Sequence, residues 1–288
     1  MIDSRQSPGQ VAGQSVVQRL AVCSWSLLPT SPEDLVQKVL ATGIRRVQLA
    51  LDPFREAPKL WAETENLFRA NDITVVSGMV GCIGEDYSTL NSIRVTGGIA
   101  PDSTWEQNLK NIRAAAALAK KMGLRLVTFH AGFLPTDESD PTFAKMCQRL
   151  DEVSDIFMVQ NILVGLETGQ ETAPALADLL HKLNHPNIGV NFDPANMILY
   201  DKGDPVAALR VLAPWIRQVH IKDARRTQQP GTWGEEVVVG TGEVDWRKFF
   251  ATFKQVIFNV NLAIEREQGT ERVADIRAAR VVVEKTFN

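Results

Sequence analysis

Four apolar, β-type runs of this sequence each end on a side chain able to bind a metal: Glu167 in VGLETGQE, Asp193 in VNFDPANM, His220 in VHIKDA and Glu265 in LAIEREQG. They lie 26, 27 and 45 residues apart (167 to 193, 193 to 220, 220 to 265), so only a fold that gathers strand ends can bring them together. Three ionised carboxylates about 4 Å apart repel by roughly 4 kcal/mol per pair at an effective dielectric near 20. Three such pairs approach the ~5–15 kcal/mol that holds a domain folded. The carboxyls must therefore stay protonated or share a cation. A divalent ion held by three carboxylates and one neutral imidazole leaves a net charge of −1 and suits its oxygen and nitrogen preferences. Alone, each of these residues is more ordinary: a strand-end acid commonly caps a helix or pairs with a cation. It is the repetition at four strand ends that points to a metal.

The elements that must position them are legible from hydropathy. Eight short, β-branched apolar runs recur at 20–25, 45–51, 73–78, 124–130, 162–167, 188–193, 216–221 and 260–265. Near-continuous apolar strands suit a parallel sheet buried on both faces, and intervening helical spacing implies βαβ units. In 31–43, Ser31 supplies a cap, Pro32 fits the first turn and Gly43 ends the helix; 103–123 starts at Ser103 and finishes on Lys120, Lys121 and Gly123. Eight alternations in about 250 residues predict a single (β/α)8 TIM barrel over 16–288, behind a flexible N-terminal segment at 1–15. A doubly wound open sheet is the alternative, but no GxGxxG follows the first strand. The connection 78–102, rich in Gly and polar residues, leaves the C-terminal end of a strand. It reads as a lid or binding loop, or as a plain surface excursion.

Other polar residues fall near the same mouth. His130 ends the fourth strand and either contacts substrate oxygens or supports the metal ligands. Asn196, three residues after Asp193, presents an amide to a hydroxyl or serves as a turn residue. Lys222, two after His220, shares its side of the strand and can neutralise an oxyanion, whereas Asp223 points away or orients the lysine. Trp25 and Phe54 are candidates for an apolar wall or for barrel plugs. In GTGEVDW, 240–246, Glu243 falls near the mouth and Asp245 caps a helix.

Composition removes several classes of function. The chain carries 31 basic and 34 acidic residues, interspersed, for a formal charge of −3, so no basic face awaits nucleic acid. No apolar run approaches the ~20 residues that span a bilayer, and the first residues lack a signal-peptide core. Three scattered cysteines, Cys23, Cys82 and Cys147, fit reduced thiols in a cytoplasm better than a disulfide framework.

From CSWSL through TFHAGF, LETG, NFDPAN, HIKDARR and GTGEVDW to AIERE, the chain resembles the xylose isomerase-like barrels. The resemblance is to the sugar phosphate isomerase/epimerase branch, which includes ketose 3-epimerases and inosose dehydratase. It implies one divalent ion, Mn²⁺ by preference with Mg²⁺, Co²⁺ or Zn²⁺ as substitutes, on Glu167, Asp193, His220 and Glu265, with Glu167 and Glu265 as acid/base groups. It also puts Arg226 where family members often carry a substrate-binding arginine. The implied reaction is isomerisation or epimerisation of a ketose or ketose phosphate: a proton leaves the carbon beside a carbonyl and a metal-stabilised enediolate forms. Dehydration of an inosose on the same site, or a non-catalytic sugar- or metal-binding barrel, are the alternatives. A homodimer or homotetramer is compatible with the family. DNA repair by a three-zinc barrel is disfavoured: no histidine ends strand three, Asn196 stands where those enzymes carry one, and no Asp-x-His pair follows His220.

Overall fold

In this computed structural model the described residues are 15–257 and 259–287. Apart from Ser15, the expected N-terminal segment therefore lies outside them. The chain alternates strands and helices as β1 (Leu20–Cys23), β2 (Arg46–Ala50), β3 (Thr74–Met79), β4 (Leu126–Phe129), β5 (Leu163–Glu167), β6 (Ile188–Phe192), β7 (Ile216–Ile221), β8 (Asp223–Arg225), β9 (Glu235–Val237) and β10 (Asn261–Ile264). Eight of these close into a barrel in the order β1-β10-β7-β6-β5-β4-β3-β2. Parallel pairing of Leu20 with Leu262 and Val22 with Ile264 seals the ring, which excludes the open sheet.

The strands are buried on both faces because helices cover the outside and side chains fill the inside. The inner layer is notably polar: Gln48, Ser77, Thr128, Asn191 and Gln218 are all fully buried. They satisfy one another, with Gln48 Nε2 donating to Thr128 Oγ1 at 2.8 Å, Ser77 Oγ to Gln218 Oε1 at 2.6 Å and Gln218 Nε2 to Asn191 Oδ1 at 3.2 Å. A buried polar network is tolerable only when closed in this way.

The helix Pro32–Thr42 forms as its end signals predict, with Ser31 accepting from Asp34 N and Gly43 left-handed at φ 75°. The helix Asp102–Lys121 begins one residue ahead of Ser103, with Pro101 at its cap position and no side-chain acceptor there. The connection 78–102 is not wholly irregular. It contains the helix Leu90–Thr96, opened by reciprocal bonds between Thr89 and Ser92. Gly98, at φ 63°, then brings this segment against β4's exit, so close that a Cβ would stand 2.1 Å from the Ala131 carbonyl. Glu85 accepts from Gly98 N at 2.8 Å and folds the segment back over the barrel mouth.

A second excursion follows β7. Strands β8 and β9 pair antiparallel, Asp223 opposite Val237, and form a flap. Asp223, fully buried, accepts from the backbone N–H of Ala224, Gly240, Gly242 and Val244 and from Trp246 Nε1, at 2.8–3.2 Å. It points away from Lys222 and ties the root of the flap. Asp245 accepts from Lys248 N at 3.0 Å and caps the helix Trp246–Val256. Among the described residues no helix is long and apolar enough to cross a membrane.

Candidate metal centre

Glu167 is the last residue of β5, Asp193 follows β6, His220 lies within β7 and Glu265 follows β10. One ligand atom from each lies within 4.8 Å of the others. His220 Nδ1 is 3.4 Å from Glu167 Oε1, 3.3 Å from Glu265 Oε2 and 3.8 Å from Asp193 Oδ2. The expected spatial meeting of these four side chains is thus present.

Each is held by contacts outside the cluster. Asp193 uses Oδ1 to accept from Ala195 N and Asn196 N at 2.7 and 3.1 Å, capping the helix Pro194–Leu199. His220 Nε2 lies 2.8 Å from Gln48 Oε1 and 3.0 Å from Asn191 Nδ2; the Gln48 oxygen can only accept and so suits a proton on Nε2, whereas Nδ1 faces the three carboxylates. Glu265 Oε1 accepts from Trp25 Nε1 at 2.8 Å. Glu167 accepts from Asn196 Nδ2 on Oε1 at 3.1 Å and from Asn191 Nδ2 on Oε2 at 3.3 Å. What remains is Asp193 Oδ2 and His220 Nδ1, buried without a hydrogen-bond partner, and Glu265 Oε2, which has the Lys222 ammonium at 2.9 Å. Leaving the first two unsatisfied costs on the order of 1–3 kcal/mol each. A divalent cation among the three atoms would satisfy both, and three oxygens with one imidazole nitrogen are a donor set that fits it. Cys23 also borders His220 and Glu265, yet burial pushes its thiol up to about 12. Its Sγ lies 3.8 Å from His220 Nε2, the ring nitrogen on the other side from the three carboxylates.

Electrostatics in the cluster are divided. Burial opposes ionisation of Glu265, but Lys222 and His220 outweigh it and hold the carboxyl well below the usual range. For Glu167 burial is likewise overcome, by His130 and His220, and the carboxyl is lowered. At Asp193 burial prevails over the Lys222 charge and the carboxyl is raised. Burial lowers the His220 imidazole, while Glu265 and Glu167 raise it by more. Without an ion, His220 therefore carries the proton that offsets its acidic neighbours.

A cavity of about 830 Å³ opens above the cluster, lined among others by His130, Asn196 and Lys222. His130 Nε2 stands 3.5 Å from Glu167 Oε1, and Tyr87 from the 78–102 connection meets its ring edge-on at 6.5 Å. Lys222 Nζ lies 2.9 Å from Glu265 Oε2 and 3.8 Å from Asp193 Oδ2, and also contacts Glu267. Arg226 is not among the residues lining this cavity. Its guanidinium is bound by Glu243 at 2.8 Å and faces Asp201 at 3.5 Å on the surface. Trp25 donates to Glu265 rather than forming a plain wall, and Phe54 packs on Trp61 at 5.9 Å, against the core.

Sequence reasoning passed over Gln48, Asn191, Glu236 and Glu267. Gln48 and Asn191 carried a signal, being polar residues at inward positions of apolar strands. Glu267 repeats the two-residue spacing of Lys222 from its own ligand, and Glu236 has no local mark at all.

A profile of the xylose isomerase-like TIM barrel family matches residues 36–284. The chain belongs to that family. Among characterised relatives, 3-dehydroshikimate dehydratase of Bacillus anthracis is 24% identical over 184 residues, 62% of this chain and 65% of that protein. The chain thus spans just under two thirds of that relative's length. The crystal structure of a xylose isomerase domain protein from Planctomyces limnophilus superposes with a TM-score of 0.80 at 27% identity, covering 87% of this chain and 93% of that one. A D-allulose 3-epimerase from Methylomonas sp., solved with D-allulose, shares the fold at a TM-score of 0.69 and 14% identity, over 93% and 96% of the two chains.

Proposed function

We propose that this chain is a divalent-metal-dependent isomerase or epimerase acting beside the carbonyl of a ketose, ketose phosphate or inosose, in the cytoplasm. The observation that carries the reading is the convergence of one ligand atom each from Glu167, Asp193, His220 and Glu265 within 4.8 Å of one another, with Asp193 Oδ2 and His220 Nδ1 buried and without a hydrogen-bond partner. Similarity to a sugar epimerase accords with it, and similarity to a dehydratase accords with the second reading below.

When bound, Mn²⁺ or a related ion supplies Lewis-acid polarisation of a carbonyl and its neighbouring hydroxyl. Glu167, kept ionised by His130 and His220, takes the proton from the carbon between them. Glu265, oriented by Trp25, is protonated from solvent before it delivers that proton to the opposite face, and Glu167 gives its own up to solvent. Lys222 offsets the negative charge that develops on the substrate oxygen, and His130 and Asn196 donate to hydroxyls.

Dehydration on the same site is the second reading, favoured by His130 lying 3.5 Å from Glu167. Glu167 then takes the carbon-bound proton while protonated His130 hands its own to the departing hydroxyl, which leaves as water.

Both readings require solvent exchange beside the carbonyl. Deuterium wash-in from D₂O, followed by NMR on a panel of ketoses, their phosphates and inososes with Mn²⁺, Mg²⁺, Co²⁺ or Zn²⁺, is expected for at least one pair. Glu167→Gln and Glu265→Gln should each slow it by about 10²–10⁴-fold. No exchange across the panel would leave a barrel that binds without catalysing.

A further inference from the structure

Lys222 stands on the boundary between the metal centre and the cavity, and carboxylates claim it from both sides. Its ammonium lies 2.9 Å from Glu265 Oε2 and 3.8 Å from Asp193 Oδ2, the same two oxygens that approach His220 Nδ1. On the other side it contacts Glu267 Oε2, and it reaches Asn196 Oδ1 at 3.4 Å. The side chains of Lys222 and Glu265 are 3% and 2% exposed, that of Glu267 49%. One ammonium is thus divided between a buried carboxylate at the centre and a half-exposed one at the cavity.

The place of Glu267 is built by the fold. Glu265 N donates to Ile221 O at 3.1 Å, which sets the exit of β10 level with Lys222. Glu236, on β9, accepts from Glu267 N at 2.9 Å and from Gln268 N at 3.4 Å. Arg266 N donates to Ser26 Oγ at 2.9 Å, in the turn after β1, and Arg272 contacts the carbonyls of Arg266 and Glu267. The backbone on both sides of Glu267 is therefore held, and Glu267 lines the same cavity as Lys222 and Asn196.

Two cations compete for Glu265 Oε2. An ammonium and a divalent ion on one carboxylate oxygen repel each other, and the ion, with twice the charge and further ligands around it, keeps the oxygen. A buried ammonium is in turn costly to leave without a carboxylate. Glu267 is the one that Lys222 already touches outside the four strand-end side chains, with Asn196 Oδ1 as a neutral acceptor beside it. Lys222 keeps its proton throughout; its Nζ has only to give up one of two carboxylates.

We propose that Lys222 passes from Glu265 to Glu267 when the centre takes up its divalent ion, and that Glu267 is the residue that positions the ammonium in the loaded site. The transfer leaves Nζ at the cavity, where a substrate oxygen gains charge. The proposal rests on the reading of the four strand-end side chains as a metal centre, and it adds a positioning carboxylate outside the ligand set.

The test is a double-mutant cycle on Mn²⁺ affinity, measured by calorimetry with wild type, Glu267→Gln, Lys222→Met and the double variant. Lys222→Met, which removes the competing charge, should tighten Mn²⁺ about tenfold or more. Glu267→Gln, which leaves Lys222 no second carboxylate, should weaken it about five- to tenfold. In the Lys222→Met background the same change should alter affinity by less than about twofold. A carboxylate acting on the ion only through its own charge weakens binding equally in both backgrounds, and that result overturns the proposal, as does unchanged affinity in Lys222→Met. Crystals of the wild type grown with Mn²⁺ decide the matter even where Lys222→Met fails to fold. Nζ should then lie within hydrogen-bond reach of Glu267 and beyond it from Glu265; Nζ still on Glu265 overturns the proposal. Absence of Mn²⁺ binding to wild type overturns the metal reading and this one with it, whereas tight binding with additive effects overturns this one alone.

Discussion

Gln48 Oε1 lies 2.8 Å from His220 Nε2, and this contact across the barrel interior, from β2 to β7, gives a proton on Nε2 an acceptor and leaves Nδ1 turned toward the three carboxylates. Gln48 is fixed in turn by Thr128 at 2.8 Å. Gln48→Leu removes the acceptor and frees the ring to adopt the other tautomer. Partners of this kind are worth roughly 10–100-fold in metal affinity, and competition against a chelator should show a loss of that size with the fold retained. An unchanged affinity would mean that the tautomer is set elsewhere.

Binding of the ion should displace a proton. The His220 imidazole sits well above its ordinary range because Glu265 and Glu167 outweigh its burial, so at neutral pH the metal-free protein holds a proton on it. Nδ1 must give that proton up to become a ligand. Mn²⁺ affinity is therefore expected to fall as pH is lowered. Calorimetry at pH 7 in buffers of different ionisation enthalpy should report release of about one proton per ion bound; zero release contradicts the assignment of Nδ1.

Asp193 has two separable duties, one on each oxygen. Asp193→Asn keeps an acceptor for Ala195 N and Asn196 N but loses the charge, whereas Asp193→Ala loses both. Metal affinity should fall in both variants. Only the alanine variant should also lose the cap, about 1 kcal/mol, seen as a Tm roughly 2–4 °C below that of the asparagine variant.

Glu171 predicts a pH dependence of stability away from the metal. Burial, only partly offset by the Leu134 N–H at 2.8 Å, pushes its carboxyl up to about 7. The folded state thus holds the proton more tightly than the unfolded chain does. The stability this group contributes is intact below the ordinary carboxyl range and is lost as pH rises through 7. Glu171→Gln, which preserves the acceptor, should recover up to about 3 kcal/mol at pH 8 and little at pH 5. Parallel denaturant titrations at the two pH values would show it; an equal effect at both would refute the burial argument.

The barrel and its four strand-end side chains were legible because their signals are local. An apolar run that stops on Glu167 or His220 announces both a strand and its exit. The helix Leu90–Thr96 was missed although Thr89 and Ser92 stand at capping-box spacing, because serine at the third position is a weaker mark than glutamate. The reading of Arg226 failed to anticipate Glu243, 17 residues away, which reaches it only once the flap forms. Trp25 and Gln48 are 240 and 172 residues from Glu265 and His220; no pattern within one element can reveal partners that barrel closure introduces.

Asp223 gathers five donors at the root of the flap and leaves its outer reach, around 226–234, unconstrained by that carboxylate. The outer part of the flap can consequently vary in sequence or length while the anchor beneath it stays put, without disturbing the four strand-end side chains on the other side of that anchor.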